Sequence, residues 1–227
     1  MKGQRHFTGR GHRLRPFSSA EILPTDIPFT TEMLSGKVFQ PDGEPGEVDL
    51  IQFSADGTGA DYHSYSDDMG GEVVEMFSWN WSIDGEGRLI VDNLDPADPD
   101  AVGTLLADIA TYLDVQVNDG ITTENERLNK VISFDEATLP GTYSVSNGMT
   151  GTLSADGTGS ASDGSQTINF TWSVDTAGVL SLTFTGGTNT DYLLATSTSP
   201  SILYVVGISQ DSERALTSVF ADTLTRQ

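Results

Sequence analysis

Residues 77–84 alternate: Phe77, Trp79, Trp81 and Ile83 share one face, and Ser78, Asn80, Ser82 and Asp84 the other. Residues 167–175 do the same, with Ile168, Phe170, Trp172 and Val174 opposed by Thr167, Asn169, Thr171, Ser173 and Asp175. A period of two is that of a strand with one face buried and one wet. A turn and a further alternating run follow in both places: Leu89 and Val91 in the first, Leu180, Leu182 and Phe184 in the second. The Asp-Gly and Ala-Gly pairs between the runs supply turn chemistry, so each place predicts an antiparallel hairpin. One stretch points the other way. Val102, Leu105, Leu106, Ile109, Ala110 and Leu113 fall at helical spacing behind Asp100, a possible cap. Its counterpart near Tyr192–Ala195 and Ile202–Ile208 is β-branched and interrupted by Pro200, which predicts strands in both.

These paired patterns belong to an internal repeat. The hexapeptide Ser-Ala-Asp-Gly-Thr-Gly occurs at Ser54–Gly59 and again at Ser154–Gly159. Leu34-Ser-Gly36 precedes the first copy as Leu139-Pro-Gly141-Thr-Tyr143 precedes the second. Downstream, Trp79-Asn-Trp81-Ser-Ile83-Asp84 matches Phe170-Thr-Trp172-Ser-Val174-Asp175, and Gly87-Arg-Leu89 matches Gly178-Val-Leu180. Leu105-Leu-Ala107 then aligns with Leu193-Leu-Ala195, and Glu126-Arg127 ahead of Phe134 with Glu213-Arg214 ahead of Phe220. The expected organisation is a disordered or leader segment 1–32, a first β repeat 33–134, a linker 135–138, a second repeat 139–222 and a tail 223–227. The expected fold is all-β: two tandem antiparallel meander units, small barrels or sandwiches of six to eight strands each.

Composition narrows the function. The 227 residues hold 33 Asp and Glu against 11 Lys and Arg, a net charge of −22. Five of the bases, Lys2, Arg5, Arg10, Arg13 and Arg15, stand in the first 20 residues, which contain no acid. The remaining body repels phosphate, so nucleic acid is excluded as its partner. The basic head reads as a disordered leader, a targeting peptide or an anion binder. It lacks the apolar stretch of a secretory signal. No run approaches the roughly 18 apolar residues of a membrane helix. Without cysteine there is no disulfide, thiolate nucleophile or Cys-based zinc site.

The order Leu-x-Gly-Thr-Tyr, an Asp-Gly-Thr hairpin, Phe-x-Trp-Ser-Val-Asp and Gly-x-Leu resembles lipocalin-like (calycin-type) β repeat modules of bacterial extracytoplasmic proteins. The resemblance covers most of residues 33–222. In that group a Gly-x-Trp opens the first strand and an Arg on the last strand packs over it. Carried over, the resemblance makes Gly36 and Gly141 the openers and Arg127 and Arg214 the closers, with Val38 and Tyr143 where the Trp would stand.

Several side chains are candidates for chemistry. The hexapeptide acids Asp56 and Asp156 sit beside hydroxyls as calcium ligands do, but Asp-Gly also supplies the positive φ of a tight hairpin. Asp92, Asp95, Asp98 and Asp100 put four carboxylates in nine residues, a calcium candidate without the central Gly or distal Glu of a helix-loop-helix site. His63 is the one histidine of the body and reads as a surface residue. No Gly-x-Ser-x-Gly elbow accompanies it. Phe77, Trp79, Trp81, Phe170, Trp172 and Tyr143 are core if packed tightly and a cavity wall for a small apolar ligand if packed loosely. The expectation is a monomeric, non-catalytic structural or adhesive module of an exported, periplasmic or cell-surface protein, without cofactor unless calcium binds. The alternative is a carrier or sensor of a small apolar ligand.

Overall fold

The computed structural model describes residues 27–42, 47–67, 70–94, 100–198 and 201–227. The chain divides into two compact units. It forms two closed, all-antiparallel, eight-stranded meander barrels. The first barrel comprises β1 (Lys37–Pro41), β2 (Val48–Phe53), β3 (Thr58–Ser66), β4 (Glu72–Ile83), β5 (Leu89–Asn93), β6 (Ala101–Asp108), β7 (Tyr112–Asn118) and β8 (Thr123–Lys130). The second comprises β9 (Gly141–Val145), β10 (Thr150–Leu153), β11 (Thr158–Ser162), β12 (Thr167–Val174), β13 (Leu180–Phe184), β14 (Thr190–Thr198), β15 (Ile202–Gln210) and β16 (Leu216–Arg226). The last strand returns to the first in both, β8 to β1 and β16 to β9, which leaves neither barrel with an open edge. The stretch with helical spacing is the β6–β7 hairpin, as the repeat predicted.

Alternation selects the core. Phe39, Ile51, Phe53, Trp79, Trp81, Leu89, Leu113, Val115 and Leu128 fill the first barrel. Tyr143, Leu153, Phe170, Trp172, Leu180, Leu193 and Val205 fill the second.

Each barrel is preceded by a stopper that the hydrophobic pattern did not reveal. Phe29 packs into the first core ahead of α1 (Thr31–Leu34), and its N–H donates to the Gly87 carbonyl at 2.8 Å. Phe134 does the same in the second, ahead of a 3-10 turn at Glu136–Thr138, donating to Gly178 at 2.9 Å. The crossing is so close that a Cβ on Gly87 would lie 2.3 Å from Pro28, and one on Gly178 2.2 Å from Ser133. Both glycines also adopt positive φ, +78° and +82°, a second reason no other residue serves there.

These contacts move the expected boundaries. Phe134 opens the second barrel instead of ending the first, and Ile132 already bridges Ala195 of β14. The linker 135–138 is the 3-10 turn, its Ala137 N–H capped by the Asp135 carboxylate at 3.1 Å. The tail 223–227 lies in β16 as far as Arg226. The first repeat begins before residue 33, at or ahead of Phe29. The basic head lies outside the described residues.

Candidate functional site

The repeated hexapeptide is a turn fastened from inside the barrel. The Asp56 carboxylate accepts from the Thr58 N–H at 3.0 Å and from its hydroxyl at 2.7 Å, and these bonds hold its pKa below the ordinary value. The Trp81 indole N–H donates to the Ser54 and Thr58 carbonyls, both at 3.1 Å. In the second copy Asp156 accepts from Thr158 at 3.0 and 2.6 Å, and Trp172 donates to Ser154 and Thr158 at 3.0 Å. Gly57 and Gly157 take φ of +86° and +80°. The last Gly of the motif makes room for a ring: a Cβ on Gly59 would stand 2.2 Å from Trp79, and one on Gly159 2.2 Å from Phe170. Turn, tryptophan and underlying ring form one assembly, which explains why the six residues recur unchanged.

The aromatic candidates are the floors of the two barrels. Phe53 meets Trp79, Trp81 and Phe39 edge-on, with centroids at 5.0, 5.6 and 5.8 Å. Trp79 is 2% exposed, Trp172 and Phe170 5%, and Tyr143 3%. Phe77 is half-buried on the same strand. Burial of each large ring stabilises by roughly 1.5–3 kcal/mol, and the buried indole and phenol polar atoms of Trp81, Trp172 and Tyr143 find backbone partners.

The residues that close the floors differ from those the resemblance nominated. Arg214 sits in the β15–β16 turn at φ +66°, far along the strand from Tyr143. The register of β16 instead puts Arg226 across from Tyr143. Its guanidinium lies 5.7 Å from the Tyr143 ring centroid and donates to the Thr138 carbonyl at 3.0 Å and to that of Pro140. A Cβ on Gly141 would touch it at 3.0 Å, so Gly141 is the opener that lets it pass. The Tyr143 hydroxyl donates to Leu139 at 2.6 Å, and burial raises its pKa although Arg226 opposes this. Arg127 is on the outside of β8, paired with Asp114 at 2.8 Å and 3.9 Å above the Tyr112 ring. Pairing of β1 with β2 gives the first barrel Lys37 in place of Gly141 and Phe39 in place of Tyr143, one residue on from Gly36 and Val38. Lys130 then stands opposite Phe39 and donates to Asp108 and to the Ile109 carbonyl.

Of the acidic run, Asp92 and Asp100 are exposed, and Asp95 and Asp98 lie outside the described residues. Among the described residues no three His, Cys, Asp or Glu side chains converge as a metal site. His63 is buried, 7% exposed, its ring 5.1 Å from that of Tyr65, and is not the surface residue expected.

Sequence reading missed an acidic interior in the first barrel. Glu124 and Glu126 pair with Val117 and Val115, whose side chains are core, so both carboxylates face inward. Asp61 shares its face with Gly59, which abuts Trp79, and Asp49 shares its face with Ile51 and Phe53. Desolvation first, then the charges of Asp61, Asp49, Glu124 and Asp42, push the Glu126 pKa up to about 8. Alternation carried the signal, but polar residues at inward positions look like loop residues until the register is known.

β11 and β12 carry an open groove of about 400 Å³ lined by Thr158, Ser160, Asn169, Phe170 and Thr171. The outward positions of β10–β13 hold Ser, Thr and Asn and no charge, from Thr150 and Thr152 through Ser173 to Ser181 and Thr183.

Two eight-stranded antiparallel meanders fit a lipocalin-like fold. No helix among the described residues is long and apolar enough to cross a membrane. No protein-family model matches the chain, and no curated protein sequence does. Among solved structures, a protein of unknown function from the DUF3598 family of Nostoc punctiforme is similar over 84% of this chain and 94% of its own, at 11% sequence identity and a TM-score of 0.27.

Proposed function

We propose that the chain is a non-catalytic tandem lipocalin-like module of an exported or cell-surface bacterial protein, structural or adhesive in role, whose aromatic floors are scaffold. The observation that supports this is the commitment of the aromatic strips: Trp81 and Trp172 spend their indole N–H groups on the hexapeptide turns, and the rings pack against one another. An apolar-ligand carrier needs such rings to face a hollow. An adhesive role suits the uncharged hydroxyl and amide face of β10–β13, where a neutral polar partner meets none of the repulsion of a chain carrying −22. Native mass spectrometry of the purified full chain tests the reading. A bare mass, unchanged by calcium, is expected. A copurified adduct of lipid size would make the protein a carrier instead.

A further inference from the structure

From Thr150 to Thr185 the chain holds no base and three acids, Asp156, Asp163 and Asp175. Each acid stands in a hairpin turn and spends its carboxylate there: on Thr158, on Ser165 and Gln166, and on Ala177 and Val179. The wall between these turns is uncharged, and its outward positions hold no aromatic or aliphatic side chain either. A soluble surface commonly has charge on about a quarter to a third of its side chains. Along the groove between β11 and β12, the side chains of Ser160, Asn169, Thr171 and Thr185 make no hydrogen bond among the described residues. Each of these groups can both donate and accept.

The fold does not demand such a wall, because the first barrel builds the equivalent one differently. Ile90 and Asp92 pair there with Ser82 and Asn80, where Ser181 and Thr183 pair with Ser173 and Thr171. Four residues ahead of the hexapeptide stand Leu50 in the first copy and Thr150 in the second, and three residues beyond it Tyr62 and Ser162. At four equivalent places an apolar, aromatic or acidic side chain in one barrel is a hydroxyl in the other.

The chemistry of the wall selects its partner. A chain of −22 repels anionic polymers. Protein interfaces gather aromatic, Met and Arg side chains at their centre, and a lipid surface needs an exposed apolar patch; the wall has neither. A neutral polysaccharide has no charge to be repelled, its hydroxyls also donate and accept, and its repeating units can engage successive rows of the wall at once.

We propose that the outer wall of β10–β13 docks a neutral polysaccharide, seated at the β11–β12 groove. This rests on the adhesive reading above and names the class of partner.

Electrophoresis of the native full chain through gels containing dextran, mannan, xylan or galactan tests it, since the charge of −22 drives migration while the polymers stay neutral. At least one polymer is expected to slow the chain by about two-fold or more. Ser160→Ala, Asn169→Ala and Thr171→Ala together should restore free migration. Thr171→Val alone, which keeps the shape of the side chain and removes its hydroxyl, should weaken the retardation without disturbing the strand. Ser78→Ala with Asn80→Ala, the matching change in the first barrel, should leave it as it was. If none of the four polymers slows the chain, the proposal falls while the scaffold reading stands. Retardation that survives the triple substitution, or that the first-barrel pair abolishes equally, places the site elsewhere and overturns it too. Slowing by gelatin and by no polysaccharide would make the wall a peptide-binding surface, again against the proposal. A copurified adduct of lipid size in native mass spectrometry would instead remove the adhesive reading on which it rests.

Discussion

The two barrels share a floor and differ above it. Both lay a tryptophan under the Ser-Ala-Asp-Gly-Thr-Gly turn, seat a ring against the motif's last glycine and plug the end with a phenylalanine. The second barrel continues with Ala161 and Phe220, and ties its inward acid Asp191 to the Ser209 hydroxyl at 2.5 Å. The first continues with four carboxylates. One architecture therefore separates what folds a barrel from what makes its interior particular: the floor is retained in both copies and the upper interior is free to diverge.

Trp172→Ala breaks the comparison most severely. It removes the ring and both anchors of its turn and should cost about 3–5 kcal/mol, confined to the second barrel. Trp81→Ala should do the same to the first. Hydrogen exchange resolved by barrel checks the confinement; equal losses in both would show that they melt as one body.

The next effect belongs to the first barrel alone and depends on pH. Folded Glu126 titrates near 8, above its ordinary 4.5. Between those values the folded chain keeps a proton that the unfolded chain releases, so stability falls as pH rises through this window. Glu126→Gln should remove that slope and raise first-barrel stability by about 2 kcal/mol or more at pH 9, as read by denaturant melts from pH 5 to 9.

Gly159→Ala drives a methyl into Phe170, and Gly59→Ala one into Trp79. Each should cost about 1–3 kcal/mol in its own barrel, and melts of the two variants should show parallel losses. The smallest effect is expected at the closing cation: Arg226→Ala frees the Thr138 and Pro140 carbonyls. At this exposed site the loss should be about 1 kcal/mol, seen as a lower second-barrel melting temperature.

The fold was legible because burial on one face of a strand writes itself into the sequence at period two, twice over. The same period hides errors of register. Leu105-Leu-Ala107 and Leu193-Leu-Ala195 align by letter, yet each barrel's bulge follows Leu105 and Ala195, so Ala195 is the true partner of Leu105. A slip of two residues keeps every side chain on its face and leaves no trace in the pattern. Matching Glu126-Arg127 to Glu213-Arg214 failed for another reason: two-letter identities between a strand and a turn carry no geometry. The stoppers did leave a mark. Phe29 to Leu34 and Phe134 to Leu139 share one spacing, but a lone phenylalanine before a helical turn has no period to betray it.

Closure by first and last strands sets an order on folding. Phe39 on β1 pairs with Lys130 on β8, some ninety residues later in synthesis. Until β8 emerges, the outer edge of β1 stays open, and contacts so distant in sequence form slowly. An open edge invites pairing with another nascent chain. The strong negative charge of the body opposes that encounter because every copy repels every other. Acidity thus guards the barrel during the interval before it can close.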